Sequence, residues 1–359
     1  MEFENRESYF RESHIISSAF NTSKIITEQA LHCLECVAQL NESGLQFIFK
    51  GGNALLLMLE NPERFSTDVD ISTDESTEAI EQHLNKITGF QRVFKKWEKR
   101  HYKIKSSIPA ISYNLYFTSL FSPSQTNSIS IDIQLKKNCY KTEIRQINCG
   151  RLFISSVNTE IPLPSSIIGE KLLALGPFTM GIPLSRSSNS LRLKHIFDIS
   201  RLLQMKPSLS LIRESLHCCI GHENHQQKKN ISLHAIIIDT ISMLWSSVSP
   251  ADSFKWGIKE LYNEHKKGLQ PFSSHLFQPG YSWAQLQTDM SRVALCIAGA
   301  GNSNIADAEF EKALEEPFTT GTLPFPILLN NPSARNYWNV ALLWAEKFNL
   351  KKGDFSVRN

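Results

Sequence analysis

The spacing of hydrophobic and polar positions changes along the chain and divides it into two parts. Up to residue 155, short apolar runs with a two-residue period alternate with amphipathic segments of helical period, which predicts an α+β region. Its predicted strands are 45–50, 68–72, 91–95, 101–105, 111–119, 128–136 and 151–154. Its predicted helices are 24–42, 53–60 and 76–86.

Beyond Ile161-Pro162-Leu163-Pro164, almost every apolar repeat has helical spacing. Helices are predicted at 165–175, 191–204, 208–218, 233–248, 255–267, 282–298, 306–315 and 335–348. We therefore expect two domains: a mixed β-sheet with flanking helices in residues 1–155, and an all-α domain in residues 156–359.

A double glycine follows the first predicted strand. The apolar run Leu45 to Phe49 stops at Lys50-Gly51-Gly52, and an Ala/Leu/Met run typical of a helix begins at once. Glycines allow backbone N–H groups to approach an anion at a helix N-terminus, where the helix dipole also favours negative charge. The pattern predicts a phosphate-binding turn.

Three aspartates lie on predicted strands. Asp68 and Asp70 are two residues apart, so a strand at 68–72 places both on one face. Asp132 lies on the polar face of the strictly alternating segment 128–135. If these strands pair, the three carboxylates converge and provide the hard oxygen ligands that Mg²⁺ prefers. The alternative is that Asp68 and Asp70 are ordinary acids at the end of a loop.

These residues resemble the nucleotidyltransferase superfamily. Lys50-Gly51-Gly52-Asn53-Ala54-Leu55 and Arg64-Phe65-Ser66-Thr67-Asp68-Val69-Asp70 are similar to its AbiEii/MenT toxin branch, with Asn53 where that branch usually has threonine. The helix around Glu170-Lys171-Leu172 and the segment Arg192 to Asp198 resemble two further family motifs. His195 stands where many members have an aspartate.

The resemblance implies a nucleotidyltransferase-type fold and transfer of a nucleoside monophosphate from an NTP with Mg²⁺ or Mn²⁺. Its metal ligands would be Asp68, Asp70 and Asp132. Its NTP-binding residues would be Gly51, Gly52, Asn53, Arg64, Ser66 and Lys171. Its catalytic residues would be Asp68, Asp70, Asp132, Lys171 and Asp198. The acceptor would be the 3′ end of tRNA, the outcome blocked translation, and the partner a cognate antitoxin.

Several alternatives remain open at this point. The acceptor could be a protein or a small molecule, or the chain could be an inactive nucleotide-binding protein of the same fold. Lys171 lies on the apolar stripe of its helix, where it could meet a carboxylate or phosphate or extend to solvent. Asp198 could instead form an exposed ion pair with Lys194 and Arg201.

Composition narrows the class of protein further. Charged residues make up 20% and hydrophobic residues 41%, which is ordinary for a globular protein, and the net charge of +3 permits an RNA partner. The charged N-terminus and the lack of an apolar run of about 18 residues favour a cytoplasmic protein with no membrane contact.

Two segments carry further candidate chemistry. The basic and aromatic segment 94–105 could bind RNA or be a solvated hairpin. The His/Cys cluster at 217–225 could bind zinc, although its spacing matches no standard site. Cys33 and Cys36, on a predicted helix with no second pair, are expected to be packed thiols.

Overall fold

The structure, a computed structural model, describes residues 4–90, 92–100, 110–122, 127–136, 138–184, 190–248, 259–317 and 329–346. The chain divides into two compact units: residues 1–163 with 274–279, and residues 164–273 with 280–359. The boundary expected at residue 155 falls within a strand, Ile154–Pro162, and the units divide at Leu163 and Pro164.

The first unit is built on a seven-stranded mixed sheet in the order β3-β4-β5-β2-β1-β7-β6. Its strands are β1 Ile48–Lys50, β2 Asp68–Thr73, β3 Phe94–Lys99, β4 Ala110–Phe117, β5 Asn127–Leu135, β6 Thr142–Asn148 and β7 Ile154–Pro162. β2 pairs with β5, and β1 with β7, in parallel, whereas the other neighbours are antiparallel. A mixed sheet with helices agrees with the predicted α+β class.

Period-two alternation determines which face of the sheet is buried. In β5, Ile129, Ile131 and Ile133 are at most 1% exposed, and the polar residues between them are half-buried. β2 follows the same pattern, with Val69 and Ile71 buried. The polar side chains of β2 and β5 therefore share the opposite face of the sheet, where most of them are accessible to ligands.

Within the described residues of the first unit, four α-helices accompany the sheet: α1 Glu12–Ser18, α2 Lys24–Ser43, α3 Gly51–Met58 and α4 Thr77–Gly89, preceded by a short 3₁₀ turn at Glu7–Phe10. α2 begins at Ser23, whose side chain accepts a hydrogen bond from the Ile25 N–H, and ends at Gly44 with φ of 95°. Side-chain capping and a left-handed glycine explain why its predicted bounds were accurate.

His32 is buried in an aromatic cluster of the first unit. Its ring stacks on Phe117 with centroids 3.7 Å apart, and its Nδ1 lies 2.7 Å from the Glu28 carbonyl oxygen. Burial lowers the pKa of His32 to about 4, because an imidazolium there would lose its hydration. The ring is therefore neutral at physiological pH.

Arg6 forms a buried charge network with helix α2. Its Nε lies 2.7 Å from Glu35 and its Nη2 lies 2.6 Å from Glu42. Burial raises the pKa of Glu35, and the hydrogen bond and charge of Arg6 act against that rise. The guanidinium therefore compensates a carboxylate that would otherwise be buried without a counter-charge.

The second unit is helical in its described residues. Its helices are α5 Pro164–Leu173, α6 Leu191–Leu203, α7 Leu209–Gln227, α8 Leu233–Trp245, α9 Lys259–Ser273, α10 Trp283–Gly301, α11 Asp307–Glu315 and α12 Pro332–Ala345. α10 packs against α12, α8 and α6 and forms the centre of this unit. A capping box between Ser282 and Gln285 fixes the start of α10.

Three elements were not predicted: the 3₁₀ turn Glu7–Phe10, α1 and β6. The strand predicted at 151–154 meets β7 only at Ile154, and the strand predicted at 101–105 lies outside the described residues. None of the helices among the described residues has the length and apolar character of a membrane span.

Candidate active site

The double glycine lies where β1 passes directly into α3. Lys50 ends the strand and Gly51 is the first residue of the helix, with φ of 75°. A Cβ at Gly51 would lie 2.6 Å from Cγ of Asp70 and would overlap its Oδ2. The absence of a side chain at Gly51 therefore brings a carboxylate of β2 against the first turn of α3, which carries unpaired backbone N–H groups.

The register between β2 and β5 brings the three predicted acids to one area. Asp70 is the direct partner of Asp132, and Asp68 is the partner of Ser130 in the same parallel ladder. Laterally paired residues share a face about 4.8 Å apart, and Asp68 lies on that face because it is two residues from Asp70. The three carboxylates therefore lie on one face of the central strands.

These acids fit a divalent cation by their chemistry and placement. Asp68 is exposed, and Asp70 and Asp132 are half-buried, so the group is accessible to solvent and to ligands. Within the described chain, their oxygens do not all approach within 4.8 Å of one another. Mutual repulsion of like charges favours this spacing. A pair of neighbouring carboxylates with a third beside them suits Mg²⁺ or Mn²⁺.

Lys50 also lies on this face, although the sequence analysis did not name it as a site residue. It is the antiparallel partner of Asp70, so its side chain leaves the sheet on the acidic face. It is 4% exposed, and its Nζ lies 3.0 Å from Oε1 of Gln134. A lysine that closes an apolar strand immediately before a double glycine was the available signal.

Arg64 and Ser66 lie beside Gly52. A Cβ at Gly52 would lie 2.7 Å from Oγ of Ser66 and 2.9 Å from Nη2 of Arg64. The second glycine thus allows a guanidinium and a hydroxyl to contact the backbone at the start of α3. Both groups suit the binding of phosphate oxygens.

Asn53 has a structural partner where we expected a contact with phosphate. It is fully buried, and its Nδ2 donates to the backbone oxygen of Asp68 at 2.9 Å. One of the two N–H groups of the amide is therefore bonded to β2. This hydrogen bond holds the backbone of Asp68 against α3, and the contact of Asn53 with phosphate stays a prediction.

Cys33 and Cys36 on α2 are free, buried thiols, which confirms that prediction. Burial raises the pKa of the Cys33 thiol well above its usual range, and the negative charges of Asp68 and Asp70 raise it further. Cys33 is therefore a neutral, packed thiol close to the acidic face.

Lys171 and Asp198 form a buried pair within the helical unit. Nζ of Lys171 lies 2.8 Å from Oδ2 of Asp198, and the two side chains are 6% and 1% exposed. Two alternatives left open by the sequence are therefore wrong: Lys171 does not extend to solvent, and Asp198 is not part of an exposed ion pair. The carboxylate that meets the inward lysine is Asp198.

The described part of the basic and aromatic segment forms the edge strand β3. Arg100 follows β3 and is exposed, and its Nη1 lies 2.9 Å from Oγ of Ser130, the ladder partner of Asp68. Nζ of Lys96 lies 4.6 Å from the ring centroid of Tyr116 on β4. Residues 101–105 of this segment lie outside the described chain.

The His/Cys cluster at 217–225 lies largely along one helix, α7. His217 and His225 are exposed, whereas Cys219 is buried and is not disulfide-bonded. In the described residues, no three ligand atoms drawn from this cluster alone come together at metal-binding distances. A zinc site built from the cluster alone is not supported.

A family model for nucleotidyl transferase AbiEii toxins of type IV toxin–antitoxin systems matches residues 32–278. This match covers more than half of the chain, including the double glycine, the three acids of the sheet face and the Lys171–Asp198 pair. No curated protein matches the chain.

Proposed function

Because this chain belongs to the AbiEii family and is a nucleotidyltransferase of a toxin–antitoxin system, we propose that it transfers a nucleoside monophosphate from an NTP to the 3′ end of tRNA. The reaction depends on Mg²⁺ or Mn²⁺ and takes place in the cytoplasm, where a cognate antitoxin opposes it. The observation that carries this proposal is the direct pairing of Asp70 with Asp132 beside the Gly51 turn.

The residues of the sheet face have distinct roles in this mechanism. Asp68, Asp70 and Asp132 would hold the divalent cation, which supplies charge neutralisation at the triphosphate. Backbone N–H groups in the first turn of α3 bind phosphate oxygens, and the dipole of α3 favours their charge. Asp132 would accept the proton of the attacking hydroxyl.

The chemical step is a displacement at the α-phosphorus. The acceptor oxygen forms a bond to phosphorus while the bond to the bridging oxygen of pyrophosphate breaks, and the hydroxyl proton passes to Asp132. Arg64 and Ser66 hold the triphosphate in line for attack. We include Lys171 and Asp198 as further catalytic residues.

The polar face supports a polynucleotide acceptor. The ladder row that starts at Asp68 continues through Ser130, Asn114 and Glu98 to the edge strand. Arg100 contacts Ser130 in this row. The segment 92–100 contains five basic residues and one acidic residue. The guanidinium of Arg100 suits a phosphate of the RNA backbone, and the ring of Tyr116 on β4 suits an unpaired base.

The test is mass analysis of small RNA after incubation with the protein, Mg²⁺ and each NTP separately. Asp68→Ala should abolish the added mass of one nucleotide, and Asp74→Ala, which removes an exposed acid just beyond β2, should leave it unchanged. Full transfer by Asp68→Ala would remove the assigned role. A second incubation uses each labelled NTP with total RNA and then with RNA-free lysate. Label in a protein band and not in RNA would show a protein acceptor.

A further inference from the structure

Residues 274–279, which we call the strap, belong to the first unit although they lie between α9 and α10 in sequence. The strap contacts the chain immediately before β2. Leu276 forms an isolated antiparallel bridge with Arg64. A distant segment of the chain therefore reaches a residue that lies beside the double glycine.

Two backbone hydrogen bonds form this bridge. The Phe65 N–H donates to the His275 oxygen at 3.2 Å, and the Phe277 N–H donates to the Glu63 oxygen at 2.8 Å. The backbone of 63–65 is thus held on both sides of Arg64.

A stack of aromatic rings strengthens the same contact. The ring of Phe277 stacks on that of Phe20 and contacts that of Phe65 at a tilt, with a centroid distance of 4.4 Å in each case. Phe65 is fully buried and Phe277 is 8% exposed. Asn21 adds a hydrogen bond of 2.8 Å from its Nδ2 to the Phe277 oxygen.

Side chains alternate in direction along an extended segment, so Arg64 and Ser66 leave the backbone on the side opposite to Phe65. Phe65 contacts the strap, and its two neighbours contact Gly52. We propose that Phe277 is a positioning residue of the nucleotidyltransferase site: through Phe65, it holds Arg64 and Ser66 against the double glycine. The proposal rests on the proposed function for the role of those two residues in binding NTP.

The test measures nucleotide transfer as a function of NTP concentration in Phe277→Leu, Arg64→Met and the double variant. Phe277→Leu should raise the KM for NTP about tenfold, since small displacements of positioning groups have large effects, and should leave kcat within about twofold. Asn21→Ala, a milder change that also loosens the strap, should raise KM by a smaller factor. Phe153→Leu is the matched control, because Phe153 is also buried in the first unit but contacts Tyr9 and not the strap.

A double-mutant cycle separates positioning from a general loss of stability. If Phe277 acts through Arg64 and Ser66, Phe277→Leu raises KM by a smaller factor once Arg64 is Met, because only Ser66 then remains for it to position. Additive effects in the cycle, an unchanged KM in Phe277→Leu, or an equal rise in Phe153→Leu would overturn the proposal.

Failure of the proposed function gives a different result. In that case the wild-type protein transfers no nucleotide to any RNA. The same cycle is then measured as the Kd for an NTP with Mg²⁺ by calorimetry. Wild-type affinity in Phe277→Leu would overturn the positioning role there as well.

Discussion

Replacing Lys171 by methionine tests whether the buried ion pair of the helical unit is structural, catalytic or both. At 2.8 Å, the pair attracts by about 6 kcal/mol at an effective dielectric of 20. Dehydration of both charges offsets most of that attraction. Lys171→Met removes the counter-charge that lies 2.8 Å from the buried Asp198 carboxylate, so it should lower the free energy of unfolding by about 3–5 kcal/mol.

Urea unfolding followed by tryptophan fluorescence measures this loss. Five of the six tryptophans belong to the helical unit, so the signal reports mainly on the unit that contains the pair. Lys171→Met/Asp198→Leu should recover most of the lost stability, because it removes both charges and retains apolar volume. If the pair is also catalytic, this stable double variant should transfer no nucleotide.

The control is Lys206→Met, the same substitution at a lysine that pairs with Glu311 and Glu315 but is 48% exposed. Solvent screens that interaction, so unfolding should be unchanged within measurement error. A wild-type unfolding midpoint in Lys171→Met, or a double variant less stable than either single variant, would refute the reasoning.

Three further predictions concern the first unit. Because the folded-state pKa of His32 is about 4 and its unfolded value is near 6.5, the contribution of His32 to stability should fall as pH is lowered through that window and stay constant above it. His32→Phe should remove this dependence, up to about 3 kcal/mol between pH 7 and pH 4 in urea titrations. Arg6→Met should lower the free energy of unfolding by about 3–5 kcal/mol, since it leaves Glu35 buried without a counter-charge; an unchanged midpoint would contradict this. Gly51→Ala should reduce transfer by about 100-fold by displacing the Asp70 carboxylate, with circular dichroism to check the fold.

The elements that carry the acids were predictable because their patterns are strict and local. β5 alternates over its full length, so the face of Asp132 could be predicted before its partner strand was known. The same is true of α2, whose start is marked by a capping serine and whose end is marked by glycine. β6, by contrast, is an edge strand on which Ile144 is 74% exposed, so its pattern does not show a buried face.

The role of Asn53 depended on contacts that sequence spacing does not encode. Its amide has two N–H groups, and only the packing of α3 against β2 shows that one of them bonds to the backbone oxygen of Asp68. Lys171 was recognisable as an inward lysine, yet its partner lies on another helix. The strap gave no periodic signal, because its contact with Arg64 is a single bridge.

The strap has a consequence for the time at which the toxin becomes active during its own synthesis. A ribosome reaches residues 274–279 only after it has made the whole sheet and most of the helices. If the segment before β2 needs that contact, a nascent or prematurely terminated chain cannot bind its nucleotide well. A cell that makes this protein would then have most of the time needed to synthesise the toxin in which to supply the antitoxin before any nucleotide is transferred.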